Sequence, residues 1–149
     1  MVRRSSGMAV QLSNGRHNWL SDEPLGAGGT DTGPNPYELL LGSLAACTCV
    51  TISWYCRHKG LPIESVRTTY EFSRIHADDC VDCDIPDNSL IEKIVSNVQI
   101  KGNFNEAQQK RLAQIAERCP VHKTLVYPVV NSVTYSEPTT LGLKMNGRR

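Results

Sequence analysis

The stretch GPNPYELLLGSLAACTCVTISWYC, residues Gly33 to Cys56, decides how this chain reads. It is apolar over most of its length, yet it holds three of the chain's six cysteines and one glutamate, Glu38. Asn35 suits an N-cap, because its side-chain oxygen accepts from first-turn amides, and Pro36 suits the first helical position, where no N–H is needed. The helix so begun should run to Lys59-Gly60, where glycine takes the left-handed cap and Pro62 forbids continuation. Its longest apolar run, Leu39 to Trp54, is broken by Gly42, Ser43, Thr48, Thr51 and Ser53, so it reads as a core helix and not a membrane span.

Outward from this helix the pattern alternates between strand and helix. Met8 to Leu20 reads as a β-hairpin about Asn14-Gly15, a dipeptide that tolerates positive φ. A Gly- and Pro-rich loop, SDEPLGAGGTDTGPNP, joins the hairpin to the helix, and loops of that length are often functional. Ser65 to Ile75 alternates as a strand with Val66, Thr68, Tyr70 and Phe72 on one face. After the polar insert HADDCVDCDIPDNS, a second strand is expected from Ile91 to Lys101, with Ile94, Val98 and Ile100 aligned. Asn103 with Glu106 reads as a capping-box start for a second helix. Its stripe is Leu112, Ile115, Ala116 and Cys119, and Pro120 should stop it. PVHKTL then suggests a short helix, and Val129 to Tyr135 a final strand. This order predicts one α+β domain over residues 1–149.

Composition narrows the function classes. The chain has 149 residues, 40% apolar and 21% charged, with sixteen basic against fifteen acidic side chains. A formal charge of +1 offers no electrostatic case for nucleic acid or an anionic membrane as partner. The opening MVRRSSGMAVQLSNG lacks the apolar core of a secretory signal, so a cytoplasmic location is expected. Thiols stay reduced there, and six cysteines then point to chemistry or metal more than to a disulfide scaffold.

The cysteines are not equivalent. Each helical residue turns about 100°, so Cys49 lies roughly 200° from Cys47, while Cys56 shares the stripe of Cys49. Cys49 and Cys56 read as small buried hydrophobes. Cys47 stands apart, near Ser43 and Thr51. Cys119 ends an apolar stripe and is also the N-cap of the helix that Pro120 starts, a place that favours thiolate over thiol. If Cys47 and Cys119 meet, one sulfur can attack a peroxide O–O bond and the other can condense with the resulting sulfenic acid to a disulfide.

The segments GGTDTGPNPYELLLGSLAACT, Gly28 to Thr48, and RCPVHKTL, Arg118 to Leu125, resemble the osmotically inducible protein C and organic hydroperoxide resistance superfamily. IHADDCVDC, Ile75 to Cys83, is similar to one subgroup within it. The resemblance implies an OsmC-like fold: an intertwined homodimer with central helices wrapped by antiparallel β-sheets and active sites at the subunit interface. It implies that Cys47 is the peroxidatic thiol and Cys119 the resolving one. It further implies reduction of organic hydroperoxides to alcohols by a dithiol or lipoylated-protein reductant, with no metal, flavin or haem. In the family an arginine stabilises the thiolate and a glutamate positions it. That glutamate directly follows the Asn-Pro pair, where this chain has Tyr37, so Glu38 is the candidate. Glu38 is nine residues from Cys47, half a turn out of phase and about 13 Å away along a regular helix. It would reach Cys47 only through a helix break or the other subunit; otherwise it is a first-turn charge. Arg16 is the candidate arginine, although the family's lies nearer Arg3 or Arg4.

Other sites compete. Cys80 and Cys83 form a C-x-x-C unit beside His76 and four aspartates, which suits a zinc site, a regulatory disulfide or an inert acidic loop. No second C-x-x-C exists, and acidic neighbours raise thiol pKa values. His122, three residues after Cys119, raises a Cys-His hydrolase reading that lacks an orienting third group. His17 and His58 have no partner pattern. The expected function is a cysteine-dependent organic hydroperoxide peroxidase; the alternative is a non-catalytic stress-related binding or metal-sensing protein on the same fold.

Overall fold

The computed structural model describes residues 2–4, 7–76, 90–126, 129 and 132. Apart from residues 129 and 132, the expected strand from Val129 to Tyr135 lies outside the described residues, as do Cys80 and Cys83. The chain is α+β. It opens with β1 (Val2–Arg4), β2 (Val10–Ser13) and β3 (Asn18–Ser21), and continues with the long helix α1 (Pro36–Lys59). Then come β4 (Ile63–His76), β5 (Leu90–Gly102), α2 (Glu106–Ala116) and α3 (Pro120–Val126).

The first three strands form an antiparallel sheet in the order β1-β2-β3. The hairpin turn is longer than a two-residue one. Ser13 pairs with Asn18, and the Asn14 side chain accepts from the amides of Arg16 and His17 at 3.0 and 2.8 Å. Gly15 supplies the positive φ, 89°. β1 was not expected, because three residues inside MVRRSS show no alternation to read.

α1 forms as its ends dictate. Asn35 accepts from the Glu38 amide, and the Glu38 carboxylate accepts from the Asn35 amide, closing a capping box. At the other end Gly60 takes φ 62°, and Arg57, His58 and Lys59 sit where the helix dipole favours cations. One stripe of this helix is buried: Leu44, Thr48, Ile52 and Cys56.

That stripe lies on β4 and against α2 and α3. β4 and β5 pair antiparallel, Val66 with Ile100, Thr68 with Val98, Tyr70 with Ser96 and Phe72 with Ile94. These side chains face the helix, as period-two alternation requires. Ile52, Cys56, Leu112 and Ile115 make the core, with Val66, Val98, Ile100 and Phe104 packed around it.

α2 starts later than expected. Asn105 is the N-cap and Gln108 completes the capping box, not Asn103 with Glu106. NFNEAQ offers the Asn-x-x-acceptor pattern twice. The second wins because β5 runs on to Gly102 and Phe104 turns into the core. α2 ends at Ala116, which leaves Cys119 free to begin the next helix.

Much of α1 is left uncovered by the described residues. By length and apolar content it would pass as a membrane span, 24 residues with mean hydropathy 1.6 over its best window, of which 22% is buried. Val50 and Trp54 are 66% and 65% exposed.

Candidate functional site

Cys119 is fully buried at the N-cap of α3. Its sulfur accepts the His122 amide hydrogen at 3.3 Å, and its carbonyl accepts from Lys123 at 3.1 Å. Pro120 makes this possible: it cannot donate an N–H itself, and it keeps Cys119 out of helical geometry. Cys47, half-buried midway along α1, faces the same point. The two sulfurs, 72 residues apart in sequence, lie near enough for each to shift the other's ionisation. Both are free thiols.

The pair is electrostatically asymmetric. Burial pushes the Cys47 thiol up, and the neighbouring Cys119 sulfur adds to that rise; the Val121 amide and the Thr51 hydroxyl oppose it. Burial also pulls on Cys119, but the amides of His122 and Val121 and the side chains of Cys47 and Thr48 together hold it below the ordinary thiol value. Of the two thiols, Cys119 is therefore the one that ionises more readily. Cys119 stands at the helix start where sequence reasoning placed it.

Thr48 and Tyr70 were not anticipated as part of the site. Thr48 is 2% exposed, and its hydroxyl lies 2.8 Å from the Tyr70 hydroxyl. Burial raises the Tyr70 pKa; the Thr48 bond lowers it, and the three nearby sulfurs raise it further. Tyr70 already stood on the helix-facing side of β4 by alternation, and Thr48 lies one turn from Leu44 and Ile52. Those phases were the available signals. The other helix cysteines behave as packing: Cys56 is in the core, and Cys49 lies 3.6 Å from the Thr68 hydroxyl.

Glu38 is occupied at the helix cap, and Arg16 is exposed in the hairpin turn. Among the described residues neither makes a hydrogen bond or ion pair with Cys47 or Cys119. Tyr37, where the family's glutamate would be, donates its hydroxyl to Glu92 at 3.1 Å, and Arg74 pairs with the same carboxylate at 3.4 Å. His122 touches Cys119 through its backbone amide. Cys80, Cys83 and the side chain of His76 lie outside the described residues; among the described residues no three His, Cys, Asp or Glu side chains converge as metal ligands.

The long loop before α1 is built around Asp22, 2% exposed. Its carboxylate accepts from the hydroxyls of Thr30 and Thr32 at 2.6 and 2.9 Å and from the amides of Glu23, Thr30 and Thr32. The Thr30 hydroxyl bond, with those of Thr32 and both amides, outweighs desolvation and holds this carboxyl far below the usual range. A cavity of about 240 Å³ adjoins the site, lined by Leu44, Tyr70, Glu92, Ile94, His122 and Leu125, among others. Its described walls come from α1, the β4/β5 sheet and α3, and no residue of the loop before α1 is among them.

The sequence pattern of OsmC-like proteins matches residues 29–133. Among solved structures, one from Psychrobacter arcticus 273-4, provisionally described as an osmotic stress induced and detoxification response protein, is 20% identical. Its TM-score is 0.61 over 83% of this chain and 85% of that one. An organic hydroperoxide resistance protein OsmC from Legionella pneumophila, also described as a predicted redox protein, is 20% identical with TM-score 0.52, covering 81% and 89%. The organic hydroperoxide resistance protein OhrB of Bacillus subtilis is 19% identical with TM-score 0.55, covering 83% and 86%. A comparison with curated proteins finds no match.

Proposed function

The chain belongs to the OsmC-like protein family, and from that premise we propose that it is a cysteine-dependent peroxidase that reduces organic hydroperoxides to alcohols. The observation that carries this reading is the proximity of the Cys47 and Cys119 thiols where α1 meets the start of α3, each shifting the other's ionisation. Cys47 is the more accessible of the two and takes the peroxide oxygen as a sulfenic acid. Cys119, enclosed behind it, condenses with that acid to a disulfide and so protects Cys47 from further oxidation. Two solved relatives carry the name organic hydroperoxide resistance, which supports the substrate class.

The electrons return from outside the chain, from a dithiol or a lipoylated protein, and the chemistry needs no bound metal or organic cofactor. The protein works in the cytoplasm, where such reductants keep thiols reduced. It works as a homodimer. Cys47, Val50 and Trp54 share one face of α1, and the last two are largely exposed. An apolar face of this kind needs a cover, and a second copy of α1 supplies one.

The test is peroxide consumption with one dithiol reductant. An alkyl hydroperoxide should be consumed with far higher catalytic efficiency than hydrogen peroxide, because each buried methylene contributes about 0.8 kcal/mol. Mild treatment should yield a Cys47–Cys119 disulfide by peptide mapping. Cys47→Ser should abolish turnover, while Cys119→Ser should leave Cys47 open to over-oxidation. Full activity in the Cys47→Ser protein would sink the reading.

A further inference from the structure

We propose that the substrate is an uncharged, esterified acyl chain carrying its hydroperoxide in mid-chain, held in a groove along the inner face of β5 that passes the thiol pair at its middle. This rests on the peroxidase reading of the same site.

Side chains alternate along β5, so Glu92, Ile94, Ser96, Val98, Ile100 and Gly102 point to one side. The cavity of about 240 Å³ is lined by the first three of these, and a second cavity of about 570 Å³ by the last four. Ser96 belongs to both, so the two form one groove. At about 3.3 Å per residue the row is about 33 Å long.

Ser96 marks the place where the groove passes the sulfurs. It pairs across the sheet with Tyr70, whose hydroxyl lies 2.8 Å from that of Thr48, the chain neighbour of Cys47. On the opposite wall α2 ends at Ala116 and α3 begins at Pro120, so Cys119 sits in the gap between the two helices that flank the groove. Ala116 and Glu117 line the larger arm and His122 the smaller, and the His122 amide donates to the Cys119 sulfur at 3.3 Å. Two arms thus diverge from the thiol site. At roughly 30 Å³ for each water-sized group, they hold about eight and about nineteen. A compact alkyl hydroperoxide leaves most of this space empty, whereas a chain with its peroxide in the middle fills both arms. Each methylene so buried strengthens binding by about fourfold.

Charge then selects the end group. The walls are apolar at Leu44, Ile94 and Leu125 in one arm and at Val98, Ile100 and Leu112 in the other. Among the described lining residues, the carboxylates are Glu92 and Glu117, and none is lysine or arginine. Glu92 is fixed in place: Tyr37 and Arg74 both donate to its Oε1, at 3.1 and 3.4 Å. Arg74 therefore already has a carboxylate partner in the protein. A free fatty acid would bring a third carboxylate into this groove, and an ester brings none. The reaction balances without a further reactant: the peroxide takes two electrons from the two thiols, which become a disulfide, and leaves as the mid-chain alcohol and water.

The test compares kcat/KM for a long-chain unsaturated fatty acid hydroperoxide with its peroxide in mid-chain, the methyl ester of that acid, and tert-butyl hydroperoxide. All are used below micelle-forming concentrations with one dithiol reductant. The ester should exceed the acid by about fivefold at low salt, the factor expected for like charges about 8 Å apart at a partly exposed site, and the gap should narrow as salt is added. Glu92→Gln keeps an acceptor for Tyr37 and should narrow the same gap at low salt. Ala113→Trp, placed on the wall of the larger arm, should lower the ratio of ester to tert-butyl efficiency at least tenfold. An acid as good as the ester overturns the proposal, as does a gap indifferent to Glu92→Gln. A ratio unmoved by Ala113→Trp also overturns it, and a change in sedimentation alongside would show that a second copy fills the groove instead. If either variant does not fold, the salt dependence of the wild-type gap decides, and a gap that does not respond to salt refutes the charge selection. A wild type that consumes no hydroperoxide refutes the function reading. Isothermal titration with the mid-chain hydroxy ester and the hydroxy acid then decides the groove, tighter binding of the ester supporting it and equal or weaker binding overturning it.

Discussion

Trp54 gives the most direct test of whether a second copy covers α1. It is 65% exposed and stacks on His58, with ring centroids 5.3 Å apart and planes 4° from parallel. It lies two turns beyond Cys47 on the same face, because seven residues rotate about 700°, nearly two full turns. A tryptophan offers roughly 200 Å², so covering the exposed part removes about 130 Å² from water. At about 25 cal/mol per Å² that is about 3 kcal/mol for each protomer. A two-fold dimer uses the same patch twice, so Trp54→Ala should weaken association by about 6 kcal/mol, on the order of 10⁴-fold in dissociation constant.

If Trp54 instead faced solvent, the same substitution would change stability by no more than about 0.5 kcal/mol and would leave the oligomeric state alone. Sedimentation across nanomolar to micromolar concentrations separates the two cases. The wild type should be a dimer throughout, and Trp54→Ala should dissociate while keeping its far-ultraviolet circular dichroism. A natively folded wild-type monomer at micromolar concentration would refute the reasoning. So would a Trp54→Ala dissociation constant within a few-fold of wild type.

Two further outcomes follow from single positions. A Cβ on Gly29 would collide with the backbone of Glu23, whereas one on Gly26 meets nothing within 4 Å; Gly29→Ala should therefore cost about 1–3 kcal/mol in urea denaturation and Gly26→Ala much less, equal losses counting against the packed loop. Burial raises the Cys56 thiol above its ordinary value, so the folded state favours the neutral form. That stability is fully present below the unfolded pKa of about 8.5 and is lost as pH rises through the folded value, so the urea midpoint should fall as pH rises above about 8.5, more steeply in wild type than in Cys56→Ala. Identical slopes would exclude Cys56 as the source.

What the sequence made legible was what local chemistry decides. Asn35, Pro36 and Gly60 bound α1 because capping depends on residues a few positions apart. Alternation put Val66, Thr68, Tyr70 and Phe72 on one face because side-chain direction in a strand has period two. Local signals failed where two candidates were equivalent, as with Asn103 and Asn105, and tertiary packing by Phe104 chose between them. The contact of Cys47 with Cys119 was chemically attractive but not derivable, since nothing within either segment carries information about the other across 72 residues. Family resemblance alone joined them. Thr48 ends one of the resembling segments, but its hydrogen bond to Tyr70 exists only once α1 lies on β4.

The same division explains why the expected charged helpers are not at the sulfurs. Glu38 was already half a turn out of phase with Cys47, and the capping box gives its carboxylate the Asn35 amide at 2.8 Å. Tyr37 takes the position after Asn35-Pro36 and turns its hydroxyl to Glu92, which also holds Arg74. The carboxylate and guanidinium that the family pattern leads one to seek near the helix start are thus present, but they come from β5 and β4 and pair with each other across the sheet edge. Among the described residues the sulfurs have amides and hydroxyls near them as donors. Such donors are neutral and fixed by packing, so they can stabilise a thiolate without bringing water or a mobile cation beside it. A site of that character stays apolar around the reacting sulfur. That suits an oxidant carrying a hydrocarbon tail better than one that must bring its own hydration shell.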